Sequence, residues 1–264
     1  MTDTFSQFSV LSLYSAMGLY AIAFILFTLD LSGLASPKAR LARIALSLTW
    51  LGFALQAIAT VLRGIAASRV PWANMYEFAM TGTLMIMLVF LVVNLKWDIR
   101  YLGAFITGFV LLALGISATR YYVEVVPLPP ALQSYWLVIH VFVATLATGF
   151  FALGFALSLA QVLQERRERA TTEKQLARWA WLSRLPASVT LENLAYRLII
   201  VGFVLWTFTL IAGAVWAEKA WGRYWGWDVK EVWTFIIWTI FAGYLHARST
   251  RGWRGTRSAT LAMI

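Results

Sequence analysis

His140 and His246 are the only histidines in the 264-residue chain, and cysteine is absent. Disulfides, thiolate nucleophiles and Cys-based metal or Fe–S sites are therefore excluded, leaving His, carboxylates and Met as metal ligands. His140 stands in "SYWLVIHVFVATLATGF", six residues past Ser134, about 9 Å along a helix. An ionisable group at membrane depth is costly unless paired or bound. His140 is thus either a ligand or a neutral ring hydrogen-bonded to a neighbouring helix. His246, in "FIIWTIFAGYLHARSTR", comes fifteen residues after Glu231, about 22 Å further along its helix. It is either a ligand or a last-turn imidazole that suits the helix dipole. Rings near opposite faces of a bilayer cannot share one metal ion. If both bind, there are two sites, each needing a second ligand from elsewhere.

Between the two histidines lies "WGRYWGWDVKEVW", residues 221–233, with indoles at Trp221, Trp225, Trp227 and Trp233. Asp228-Val-Lys-Glu231 has the spacing of a capping box opening a helix, and some of the indoles suit an aromatic belt at the membrane interface. That account leaves Trp225-Gly226-Trp227, preceded by Trp221-Gly222, without a purpose. Glycines between flat rings let them lie against a planar ligand with the backbone close behind. A porphyrin fits, its carboxylates pairing with Arg223 or Lys230. So does a quaternary ammonium held by cation–π contacts. No Ser–His pair or acidic dyad is evident, and no catalytic residue is assigned.

The elements that position these residues are membrane helices. The chain is 61% hydrophobic and only 13% charged, against about 25% charged in a soluble domain. Apolar runs near the 20 residues that cross a bilayer fall at roughly 10–30, 44–64, 75–95, 101–119, 134–163, 196–217 and 231–247. An eighth run opens at Ser258 and stops at Ile264, which reads as a final span cut short. The expected fold is an all-α polytopic transmembrane bundle, one domain over 1–264, with seven complete spans and the start of an eighth.

The net charge of +10 collects in alternate loops and calls for no nucleic-acid partner. Lys38, Arg40 and Arg43 follow the first span; Arg166, Arg167, Arg169, Lys174, Arg178 and Arg184 sit in 164–195; Arg248, Arg251, Arg254 and Arg257 follow the seventh. Basic loops stay in the cytoplasm, so the N-terminus and the Trp-rich loop, about 218–232, are expected outside. "KWDIR" (96–100) carries only a slight basic excess for a cytoplasmic loop. The first basic residue is Lys38, so no secretory signal is evident. The basic loop 164–195 is expected as a solvated tether or an interfacial helix. In "RVPWANMYEFAMTG" (69–82), Pro71 fixes a turn and Asn74 or Glu77 caps the third helix. Glu77 there reads as electrostatically ordinary, and Asp30 reads the same way.

"WGRYWGWDVKEVWTFIIWTIFAGYLHAR", with "PWANMYEF" and "SYWLVIHV" ahead of it in order, resembles the tryptophan-rich WWD signature of haem-handling proteins. More narrowly it resembles the CcsA/ResC-type membrane subunit of the System II cytochrome c synthase, over roughly residues 69–264. That resemblance implies delivery of haem b, the transported substrate, for thioether attachment to apocytochrome c at a CxxCH motif outside the cell membrane. It implies His140 as an external axial ligand and His246 as the ligand of an inner site completed by a CcsB/ResB-type partner subunit. It places Trp221, Trp225, Trp227 and Asp228 in the haem-holding loop. Val229 stands where the family usually has Pro. The family's second external His lies just after a last helix, and the sequence stops within that helix. The alternatives are a transporter of an organic cation, which predicts broken mid-membrane helices, and a purely structural subunit.

Overall fold

A computed structural model describes residues 2–33, 40–125, 128, 133–250 and 252–264; Lys38 and Arg251 of the basic loops, and most of 126–132, lie outside the described residues. The described residues are helical, with no strand: α1 Thr2–Ser32, α2 Leu41–Ala67, α3 Met75–Lys96, α4 Gly103–Arg120, α5 Tyr135–Glu168, α6 Glu173–Arg178, α7 Ser188–Trp221, α8 Val229–Thr250 and α9 Thr256–Met263. Short 3-10 turns lead into α4 and follow α6. Each apolar run expected from the sequence falls on one of these helices, overrunning its ends by no more than two residues. Six of them, α1 to α5 and α7, are long and apolar enough to cross a membrane; α8 is long enough but is not among the six. Its indoles, hydroxyls and terminal charges lower its hydropathy, although it packs along α7 between the levels of Glu192 and Trp206. Large apolar side chains such as Val61, Leu112 and Val204 point outward from mid-helix, as helices facing lipid require.

The contacts fall into two compact units, Met1–Gln133 and Ser134–Ile264. In the first, α1 packs on α2 and α4, and α3 on α2 and α4. Small residues set the close approaches: a methyl on Gly52 would meet the Tyr20 ring at 2.7 Å, and one on Gly103 the Phe27 ring at 2.6 Å. With no water to satisfy them, buried polar groups pair between helices. The Tyr20 hydroxyl donates to Gln56 Oε1 at 2.8 Å, and Gln56 Nε2 donates to the Met80 carbonyl and Thr83 Oγ1 at 3.0 and 2.8 Å.

At the other end of α2 the expectation for Glu77 is corrected. Asn74 caps α3, its side chain accepting from the Glu77 amide at 2.9 Å. The Glu77 carboxylate is fully buried (0% exposed) between two guanidiniums, Arg63 Nε donating at 3.0 Å and Arg69 Nη1 at 2.6 Å. Arg63, 1% exposed, also donates from Nη2 to the Val123 carbonyl at 2.7 Å and lies over the rings of Tyr76 and Tyr122. The surplus positive charge thus rests on aromatic faces.

In the second unit α5 lies along α7, α9 packs on α5, and α8 on α7 and α9. Gly154 admits Ile199, and Phe151 stacks on Phe241 at 4.0 Å. The 164–195 stretch is neither a tether nor one interfacial helix. "QERRE" holds good helix formers and no breaker, so α5 continues to Glu168. Its last carboxylate then accepts from the Ser188 amide (2.9 Å) and hydroxyl (2.5 Å), capping α7. The short α6 between them opens on a capping box of Thr172 and Gln175.

Candidate functional site

Ser134 caps α5, its hydroxyl accepting from the Trp136 amide at 3.2 Å, and this fixes His140 in the second turn. The half-buried imidazole sits against α7, with Nδ1 3.0 Å from the Thr209 carbonyl. A carbonyl only accepts, so Nδ1 carries the proton and donates. The neutral ring then keeps the Nε2 lone pair free for a metal ion or a donor. Gly213, one turn on, leaves the ring its space: a methyl there would stand 2.8 Å from His140 Cε1 and 3.0 Å from Nδ1. Trp216 lies nearly parallel to the imidazole, at 6.2 Å and 16°. Thr209, Gly213 and Trp216 follow the i, i+4, i+7 spacing of one helix face. That pattern was readable in "TLIAGAVW", but only once α7 was known to face His140.

α7 ends at Trp221, whose indole meets Trp216 edge-on at 4.6 Å. Gly222 stops the helix in the left-handed conformation (φ 68°), its amide donating to the Glu218 carbonyl at 2.7 Å. The loop then folds on itself. Trp225 contacts Trp227 at 5.8 Å and Phe235 at 6.4 Å, both edge-to-face. Phe235 stacks beside Trp238 at 6.2 Å, and Trp238 Nε1 donates to Thr207 Oγ1 of α7 at 2.9 Å. Trp225 Nε1 is buried with no hydrogen-bond partner among the described residues. Gly226 carries no side chain because the Arg223 guanidinium occupies the place of its Cβ. Trp227 is 74% exposed, and Tyr224, Val229 and Trp233 are exposed as well.

The expected capping box forms. Asp228 Oδ1 accepts from the Glu231 amide at 2.9 Å, and Glu231 Oε2 accepts from the Asp228 amide at 3.3 Å. The Asp228 carboxylate is therefore engaged in starting α8, one residue after the last indole of the loop.

His246 is exposed near the end of α8. Trp206 Nε1 donates to the Thr234 carbonyl and Arg248 pairs with Glu192, so α7 and α8 run antiparallel with His246 level with about Leu194. His140 meets α7 fifteen or more residues away, at Thr209, a separation of roughly 22 Å at 1.5 Å per residue. The two imidazoles thus lie toward opposite ends of α7. Around Arg248 the packing is dense: it also reaches Asn193 Oδ1 at 3.1 Å and lies over the Tyr196 ring at 4.5 Å. Among the described residues no three His, Asp or Glu side chains gather as a metal-binding group.

Residues 71–264 match the profile of a family described as cytochrome C assembly protein. The cytochrome c biogenesis protein CcsA of Guillardia theta is 36% identical over 215 residues, 76% of this chain and 71% of its own length. The CcsA of Porphyra purpurea is 32% identical over 271 residues, covering 88% of this chain and 84% of its own. Among solved structures, a cytochrome c haem lyase, CcmF, superposes with a TM-score of 0.73 at 18% identity over 98% of this chain, a likeness of fold alone. The chain spans 45% of that longer protein.

Proposed function

The chain belongs to the cytochrome c assembly protein family, and on that premise we propose that it holds haem, as substrate, at the Trp-rich end of α7 and α8 for attachment to apocytochrome c. The observation that carries this reading is the His140 ring. Its Nδ1–H donates to a main-chain carbonyl and its Nε2 is left bare, the arrangement in which outer partners fix a metal-ligating imidazole. His140 is the axial ligand of the outer site, and the second axial ligand comes from outside the described residues.

Trp221, Trp225 and Trp227 pack the porphyrin plane, and Arg223 and Lys230 pair with its carboxylates. The buried, unpartnered Trp225 Nε1 adds a donor with no other function in the fold. Asp228 acts by starting α8, which fixes the spacing of loop and helix.

His246 marks a second station at the far end of α8, completed by a ligand from a second subunit of the synthase. A substrate held first there and then at His140 crosses most of the membrane's thickness. The Trp-rich loop and the N-terminus lie outside the cell membrane, with α8 as a seventh crossing. In the attachment each acceptor thiol adds across a vinyl double bond, sulfur to one carbon and proton to the other. No electrons are lost, and no nucleophile from this chain is consumed. Its residues contribute position, where effective molarities of about 10⁵ M and above are attainable, and exclusion of water from the iron side.

The test is a haem spectrum of the chain purified with its partner subunit. Wild type is expected to carry haem, and His140→Ala to lose the outer fraction. A colourless wild-type complex from haem-replete cells overturns the reading.

A further inference from the structure

Trp227 is one of two described non-glycine residues with positive φ, at 59°. Side chains with a Cβ enter this left-handed region at a cost, and a bulky one without a local hydrogen-bonding group has nothing of its own to offset it. Such a conformation persists only where neighbours over-determine it. Here a single atom does so. Glu231 Oε2 accepts from the Gly226 amide at 2.6 Å and from the Asp228 amide at 3.3 Å, two N–H groups that bracket the Gly226–Trp227 segment. A capping box requires only the second of these bonds. The first, and shorter, reaches two residues further back and closes the chain around the anion as a nest of amides.

We propose that Glu231 is a positioning residue. Its carboxylate locks the main chain on either side of Trp227 and so presents that indole outward, as a fixed wall of the haem-holding loop. The wall's use rests on the function proposed above; the lock itself does not. Gly226 and Trp227 have distinct parts in it. Gly226 lets the Arg223 guanidinium lie over the turn, and Trp227 supplies the ring that the turn turns outward.

The experiment uses the full chain with its partner subunit in nanodiscs, and two readouts. The first is the rate of cleavage within 221–233 by a broad-specificity protease without added haem, located by mass spectrometry. Glu231→Ala is expected to be cut roughly tenfold faster than wild type, as loss of a charge-assisted hydrogen bond implies. Glu231→Gln, which keeps an acceptor oxygen and protects α8 from unfolding, stays within about threefold. In a Trp227→Gly background, where positive φ costs nothing, the added Glu231→Ala change is expected to accelerate cutting by about threefold or less. Equal acceleration in the two backgrounds makes Glu231 a helix cap alone and overturns the proposal.

The second readout is haem retention. Glu231→Ala and Trp227→Ala are each expected to lower it, and the double variant to fall no lower than Trp227→Ala. Additive losses overturn the proposal. Cleavage rates as expected, with haem retention unchanged in every variant, leave the lock standing and overturn the haem-holding reading instead.

Discussion

Gly213→Ala isolates the contribution of α7 to the His140 site, because it adds one methyl group and removes nothing. That methyl would stand 2.8 Å from Cε1 and 3.0 Å from Nδ1 of the imidazole, where carbon contacts are optimal at roughly 3.5–4.0 Å. The ring must retreat by about 0.7 Å or more, which stretches the 3.0 Å bond to the Thr209 carbonyl past useful length. Losing that bond costs about 1 kcal/mol. Forcing the ring back into its ligating pose against the methyl costs at least about another 1 kcal/mol. Together, about 2 kcal/mol weakens iron ligation roughly thirtyfold. The assay is transfer of haem from the purified complex to excess apomyoglobin, followed at the Soret band. Gly243→Ala serves as the control, since a methyl on Gly243 meets nothing within 4 Å. Transfer from Gly213→Ala at the wild-type rate, while His140→Ala retains no outer haem, refutes the claim that α7 sets the ring. Equal acceleration by the control refutes it as well, by showing general loosening.

Three further outcomes follow from the same geometry. Glu77→Gln leaves two buried guanidiniums without their shared anion and is expected to destabilise the first unit by about 3–5 kcal/mol, read as a large fall in thermal stability in detergent; an unchanged midpoint overturns the reading of the Arg63–Glu77–Arg69 cluster. Residues 1–264 hold no cysteine, so single replacements report sidedness: Trp227→Cys is expected to label with a membrane-impermeant maleimide on intact cells, and Ser249→Cys only after lysis, the reverse pattern inverting the topology. His140→Ala is expected to remove the outer spectral component while leaving that of the upstream His246 station in place, and simultaneous loss of both components in this variant contradicts two separate stations.

Much of this was legible in the sequence, for a physical reason. A helix in lipid must satisfy its own backbone and show apolar side chains all round, so the runs at 75–95 and 134–163 mark α3 and α5 to within a few residues. The Asp228–Glu231 box was legible because capping is a local interaction across three residues. Partner choice was not. A glutamate at N3 of a helix has the same sequence neighbours whether it faces water or, like Glu77, two arginines from elsewhere in the unit. The Thr209 carbonyl left no trace, since every residue has one. Gly213 looked like any small residue in a membrane helix until His140 was seen against it. The loop 164–195 misled because its arginines suggest solvent, whereas its helix propensity carried α5 onward to Glu168.

The atom that sets the protonation of His140 belongs to the main chain. Any amino acid at position 209 presents the same oxygen, so replacements that fit the buried Thr209 site, such as Ser, Ala or Val, leave ligation nearly intact. Tolerance is lost one turn later: at 213 every replacement carries at least a methyl, and nineteen of twenty alleles meet the imidazole. Genetic fragility at this centre therefore resides in a residue with no functional group, and robustness in the one that makes the bond.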